Sequence, residues 1–437
     1  MQSSSLASPL GRAGAATAAL ALSVLGILGS AGGSQAQEPS AADGTEAGQQ
    51  ATADRQAKDK GTKAEDKAKS KAKAKGPEST AGPGDIVSSE PTEFQYWPGY
   101  PAAASAWKIT YKSTTATGKE NTVSGTVVVP DDGKTGPRPL IAYAAGSVGM
   151  GDKCAPSAGF HDGSTTEAPL INAALVRGFA VAVTDYEGLG TPGDHTYTVA
   201  QPAGTALLDA ARAAQRLPEA QQMGVSAESP VGIMGYSQGG QASAWAAELH
   251  GSYAPELKVK GTASGGVPAD LMKVATHLNG GDSAGYVMMS AIGHTTSFPE
   301  LDLGKYLNDE GSKLAEFTKE SCLNEILEAG KGKKIEDFTV SNPLEEPDWQ
   351  QAVNANKLGT KTPTAPVFLY HGEADETIPY ELGTGLRADW CAKGLAVEWK
   401  SFPGDSHVQA AIDGNGPALD WLGARFAGTP AQGNCGS

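Results

Sequence analysis

Val231-Gly232-Ile233-Met234-Gly235-Tyr236-Ser237-Gln238-Gly239, running on to Leu249, is the stretch on which the fold turns. Its first half is a short apolar run of the kind that forms a buried strand. Its second half, Gln238 to Leu249, reads as a helix. A serine at the junction of strand and helix must sit on a strained turn, where the residues two positions before and after it have no room for side chains. Gly235 and Gly239 meet that condition. A bare Gly-x-Ser-x-Gly carries little weight in a chain with 56 glycines, but the strand before it and the helix after it make Ser237 the expected nucleophile. The same helix directs its positive N-terminal end at the place where an oxyanion would develop.

Working outward, further strands are expected at Val123 to Val129, Leu140 to Ala144, Ala180 to Asp185, Val259 to Ala263, Pro366 to Tyr370 and Ala396 to Phe402. Several are almost continuously apolar, as strands covered on both faces are. Helices are expected between them at Ala168 to Arg177 and Gly204 to Leu217, with Gln238 to His250 following the serine. This alternation implies a mostly parallel sheet flanked by helices. It stops between about Ala269 and Thr362, a mixed, helix-like stretch that includes Leu271 to Leu278, Gly285 to Ile292, Gly311 to Phe317 and Cys322 to Ala329. A helical insertion between two core strands reads as a cap. No internal repeat is visible.

In an α/β-hydrolase the serine is followed in the chain by an acid and then a histidine. Five of the seven histidines lie after Ser237: His250, His277, His294, His371 and His407. The first ends the serine's own helix, and the next two fall in the expected cap. Asp375, in His371-Gly372-Glu373-Ala374-Asp375, follows a strand and is the expected acid, with Glu373 and Asp405 as alternatives. His407, in a loop after the last strand, is then the expected base. Triad chemistry has His407 take the Ser237 proton and pass it to a leaving alcohol, while Asp375 orients the imidazole. Two backbone N–H groups must bind the oxyanion: one from Gln238, the other from the loop Ala145-Gly146-Ser147-Val148-Gly149 after an earlier strand, where Gly146 and Ser147 are the candidates. A plain turn would also explain that loop.

Arg12, the apolar run Ala15 to Leu28 and the small residues Ser34 and Ala36 have the layout of an export signal over residues 1–36, too short for a spanning helix. Residues 37–84, rich in Ala and Lys and without an aromatic residue, read as a disordered linker. The Lys run from Lys58 to Lys75 suits an anionic wall or lipid surface, although a solvated tether explains it as well. The net charge is −15, but residues 1–80 carry ten basic against eight acidic residues, which leaves −17 on the remainder. Such a surface repels phosphate backbones and excludes a nucleic-acid partner in favour of a neutral substrate. Cys154, Cys322, Cys391 and Cys435 lack metal-ligand spacing and read as two disulfides with three possible connectivities.

Four stretches together resemble the secretory lipase family of fungi and actinobacteria. They are Tyr143-Ala144-Ala145-Gly146-Ser147-Val148-Gly149 with Cys154-Ala155-Pro156-Ser157; Thr184-Asp185-Tyr186-Glu187-Gly188-Leu189-Gly190-Thr191-Pro192; the Ser237 turn with its helix; and Ser264-Gly265-Gly266-Val267-Pro268-Ala269-Asp270. The resemblance runs from about residue 90 to the C-terminus. It implies an α/β-hydrolase domain over 85–437 with a cap inserted at about 269–362, lipase or esterase activity on an ester or lipid substrate, no cofactor, and pairing of Cys154 with Cys322 and of Cys391 with Cys435. One departure is the absence of the His-Gly-Thr sequence that bacterial members often carry in the loop holding Ala145-Gly146-Ser147. An acyltransferase or peptidase on the same triad, and a non-catalytic envelope-associated binding protein, are the competing readings. No obligate protein partner is evident.

Overall fold

The computed structural model describes residues 82–436. The export segment expected at 1–36 and nearly all of the linker expected at 37–84 lie outside the described residues. Eleven strands are present among those described: β1 (Ile86–Thr92), β2 (Gln95–Trp97), β3 (Tyr100–Pro101), β4 (Ala104–Thr114), β5 (Glu120–Pro130), β6 (Leu140–Ala144), β7 (Ala180–Thr184), β8 (Val231–Tyr236), β9 (Val259–Gly265), β10 (Val367–Gly372) and β11 (Val397–Phe402). Nine form one sheet in the order β1-β4-β5-β7-β6-β8-β9-β10-β11, and β2 and β3 form a separate hairpin. From β7 to β11 every pairing is parallel, whereas β1, β4, β5 and β7 pair antiparallel.

Position in the sheet explains the strand compositions. Every residue of β6, β7, β8 and β10 is buried, which accounts for their unbroken apolar runs. The antiparallel strands β1 and β4 lie upstream of the first strand expected from sequence. β1 is an exposed edge strand containing Pro91, and its polar sequence gives no strand signal. β4 alternates instead, sending Trp107, Ile109, Tyr111 and Ser113 inward.

The longer helices of the body are α1 (Ala168–Val176), α2 (Ala200–Arg216) and α3 (Gln238–Tyr253). They are followed by α4 (Leu271–Leu278), α5 (Gly285–Ser297), α6 (Asp309–Lys319), α7 (Leu323–Gly330) and α8 (Pro347–Asn354), all between β9 and β10, and then by α9 (Tyr380–Ala392) and α10 (His407–Phe426). One face of the sheet packs against α2, α3 and α9 through Leu207, Leu208, Ala242, Ala246, Leu382 and Trp390. The other face packs against α1 and α10 through Ile171, Leu175, Ala418 and Leu422. The helices inserted after β9 build a core of their own around Met288, Met289, Ile292, Leu303, Ile326 and Trp349. Two disulfides are formed, Cys154–Cys322 and Cys391–Cys435. The first joins the segment after β6 to the inserted helices.

Candidate active site

Ser237 occupies the turn between β8 and α3 with φ 60° and ψ −120°. A non-glycine residue pays of order 1–3 kcal/mol for such a conformation and keeps it only where neighbours leave no alternative. They do so here. A Cβ on Gly239 would lie 2.0 Å from the Ala144 carbonyl oxygen at the end of β6, and one on Gly235 would lie 2.2 Å from the Gly239 oxygen. The Ser237 N–H donates to the Gly265 carbonyl of β9 at 3.0 Å, and its own carbonyl accepts from Gln241 N–H at 3.0 Å. The turn is thereby gripped from β6, β9 and α3 together.

His407 is the first residue of α10, whose N-cap is Ser406, and its backbone N–H donates to Glu376 Oε2 at 3.0 Å. Its Nε2 lies 2.9 Å from Ser237 Oγ and its Nδ1 lies 2.7 Å from Asp375 Oδ2. With Nδ1–H donating to the carboxylate, Nε2 presents its lone pair to the serine hydroxyl. Asp375 follows β10. Its Oδ1 accepts from the N–H groups of Thr377 and Ile378 at 2.9 and 2.7 Å, and its Oδ2 accepts from His407 and lies 3.1 Å from His371 Nε2. Burial by itself raises a carboxyl pKa, but the His371 and His407 imidazoles and the Ile378 amide outweigh it, and Asp375 is held well below the usual carboxylate range. The two alternative acids lie apart from this chain of bonds: exposed Glu373 accepts from Ser401, and Asp405 interacts with Asp413.

The loop after β6 is tied down at almost every residue. Tyr186 Oη donates to the Ala145 carbonyl at 2.5 Å, and Ser147 Oγ lies 2.6 Å from Tyr197 Oη. The Gly146 N–H donates to Glu167 Oε1 at 2.5 Å, while Tyr143 Oη donates to Glu167 Oε2 at 2.8 Å. This weighs against the expectation for Gly146, whose N–H is already given to a carboxyl oxygen. Ser147 and Gln238 are the other residues expected to supply the two donors. Farther along, Leu323 N–H donates to the Val148 carbonyl, Met150 N–H donates to the Ser321 carbonyl, and Gly149 bridges Cys322. The loop is thus stitched to the inserted helices by backbone bonds as well as by the disulfide.

On the other side, Gln238 heads α3, where the first N–H groups of a helix have no partner within it. Its side-chain Nε2 lies 3.0 Å from His195 Nε2, and His195 Nδ1–H donates to the Glu187 carbonyl at 2.9 Å. Burial pushes His195 down to about 4, so the ring is neutral and Nε2 accepts from the amide. These contacts explain the run Asp185 to Gly190. Asp185 accepts from Ser157 N–H and from the Ser157 and Ser124 hydroxyls, Tyr186 holds Ala145, and the Glu187 carbonyl orients His195. Glu167, His195, Tyr186 and His371 were not singled out from sequence as site residues. Only Tyr186 had a signal, its place in one of the four stretches that carry the family resemblance.

Above Ser237 and Gln238 opens a largely apolar pocket whose walls include Leu271, Val274, Leu278, Met288, Leu303 and Trp349 from the inserted segment. Among the described residues no group of three or more His, Cys, Asp or Glu is placed to hold a metal ion. No described helix is long and apolar enough to cross a membrane.

Known proteins match this chain over most of its length. A family model described as secretory lipase matches residues 163–434. A Mycobacterium tuberculosis protein named a "probable inactive lipase" is 32% identical over 80% of this chain and 79% of its own, and a secreted triacylglycerol lipase of Malassezia globosa is 29% identical over 76% and 75%. The solved structure of Candida antarctica lipase A in its closed state superposes with a TM-score of 0.73 at 25% identity, covering 82% of this chain and 85% of that one. With its mostly parallel sheet and flanking helices, the protein is an α/β-hydrolase, an ester hydrolase of the lipase type, and the chain belongs to the secretory lipase family.

Proposed function

We propose that the protein cleaves carboxylic esters, of triacylglycerol or of simpler alcohols, through an acyl-enzyme on Ser237. The observation that carries this reading is the hydrogen-bonded series Ser237–His407–Asp375 at the floor of a largely apolar cavity. His407 Nε2 takes the Ser237 proton as Oγ attacks the ester carbonyl carbon. The negative charge that forms on the carbonyl oxygen is met by the N–H groups of Gln238 and Ser147. Collapse of the tetrahedral species expels the alcohol, which leaves with the proton from His407. Water then repeats the sequence on the acyl-enzyme and releases the acid. The inserted helices serve as the cap of a domain spanning 85–437, and their apolar side chains receive the acyl chain. Export by the segment 1–36, with 37–84 as a tether, agrees with two disulfides and with the naming of the Malassezia relative as secreted. The excess of acidic residues suits a neutral substrate.

A non-catalytic role is the second reading, favoured by the name of the Mycobacterium tuberculosis relative. The two are separated by treating the purified protein with a fluorescent alkyl phosphonate and then assaying esters of increasing acyl length and emulsified triacylglycerol, with and without an added alcohol acceptor. Labelling of the parent that is lost in Ser237→Ala, with ester turnover, supports the hydrolase. Absence of Ser237-dependent labelling overturns it. Product found mainly on the added alcohol makes the protein an acyltransferase.

A further inference from the structure

We propose that His371 is a positioning residue for ester cleavage, sharing one oxygen of the Asp375 carboxylate with His407. The inference rests on the reading of Ser237, His407 and Asp375 as the reacting set.

His371 is fully buried near the end of β10. Its Nε2 faces two acceptors, Asp375 Oδ2 at 3.1 Å and the Ile378 carbonyl oxygen at 2.9 Å. An imidazole nitrogen between two acceptors must carry the proton. Its Nδ1 is buried without a hydrogen-bond partner among the described residues. A proton there would be an unsatisfied buried donor, so Nδ1 keeps its lone pair and the proton sits on Nε2. The surroundings were shaped for this placement. Gly383 of α9 backs onto the ring, and a Cβ there would lie 2.5 Å from Nδ1. The ring of Tyr380 meets the imidazole edge-on at 5.7 Å.

Asp375 therefore accepts three hydrogen bonds, two from backbone N–H groups on Oδ1 and one from His407 on Oδ2, and the His371 Nε2, whose proton goes chiefly to the Ile378 carbonyl, lies 3.1 Å from the same Oδ2. The titratable groups facing this cluster of His371, Asp375 and His407 are Glu376 from the loop after β10, Tyr380 from α9, Tyr236 from β8 and Tyr286 from α5. On β11 the residue paired with His371 is the neutral Ser401. Sharing Oδ2 does two things. It stops the carboxylate from rotating away from His407, and it moderates the charge that His407 alone would otherwise feel. Loss of the second imidazole misorients the base.

Side-chain length separates this role from simple packing. Glutamine carries its amide nitrogen to about the reach of imidazole Nε2, and asparagine only to that of Nδ1. His371→Gln is expected to keep kcat within about threefold of the parent. His371→Asn is expected to lose about 10- to 100-fold in kcat at an unchanged KM. Equal losses in both variants, or neither losing activity, overturn the proposal. Nitrogen-15 NMR of the histidine-labelled parent gives a test that does not depend on either variant folding: the His371 proton is expected on Nε2, and a proton on Nδ1 overturns the assignment. Phosphonate labelling keeps the two readings apart. An unlabelled parent sinks the reacting set itself, whereas a labelled parent with variants labelled at the same rate sinks only His371.

Discussion

Two buried carboxyl groups lie on either side of β8 in the sheet and are treated in opposite ways. Asp375, after β10, accepts three hydrogen bonds with His371 Nε2 close by and is held well below the usual carboxylate range. Glu167, at the head of α1, grips the loop after β6; its carboxyl lies in the interior, and burial pushes it up to about 7 despite hydrogen bonds from Tyr143 and the Gly146 amide. The difference lies in environment, not in residue type. In the proposed reaction, a fixed negative charge beside His407 stabilises the imidazolium. The same charge beside the donors at Ser147 and Gln238 would oppose an oxyanion. One flank keeps its charge, and the other holds its carboxyl where charge is costly.

Four substitutions test this contrast, with the largest effect expected at the serine between the two flanks and the next on the charged flank. Ser237→Ala should lower kcat by roughly 10⁵-fold or more in an ester assay with the protein still folded. Asp375→Asn replaces the carboxylate by an amide that does not stabilise an imidazolium, and should cost on the order of 10⁴ in kcat with little change in KM. Glu167→Gln should cost only about tenfold, and its clearer signature is in stability. A carboxyl whose folded pKa is raised from 4.5 to about 7 contributes stability that is fully present below pH 4.5 and is lost as pH rises through 7. Denaturant titrations should therefore show the parent losing up to about 3 kcal/mol between these limits, and the Gln variant losing much less. A variant with the parent's slope would show that Glu167 does not titrate as described. The smallest effect is expected for Ser147→Ala. Its hydroxyl bonds to Tyr197 Oη while the proposed contribution comes from the backbone, so kcat should change by about threefold or less. A loss of a hundredfold would give that hydroxyl a direct part and blur the contrast.

Legibility in the sequence followed the same division. The Ser237 turn was readable because strain restricts which residues can flank it, and clashes at Gly235 and Gly239 are local to a few residues and the strand end beside them. The parallel strands were readable because burial on both faces leaves them almost no polar residues. β1 was not, since an exposed edge strand imposes no pattern. Asp375 and His407 could be named from their order after strands, but not the bonds between them. His371 and Glu167 gave no sign of their place at the site. A histidine inside an apolar strand and a glutamate before a helix are ordinary residues until packing brings Asp375 to one and the Gly146 amide to the other.

By itself the sequence determined the chain's class, its parallel strands and the strained turn at Ser237, because those depend on hydrophobic period and on backbone sterics within a few residues. Only the tertiary structure decided which amide beside Ser237 is already taken, which carboxyl is held ionised, and which imidazoles meet at Asp375. Those outcomes depend on burial and on partners up to 170 residues away in the chain, and neither can be computed from a local pattern.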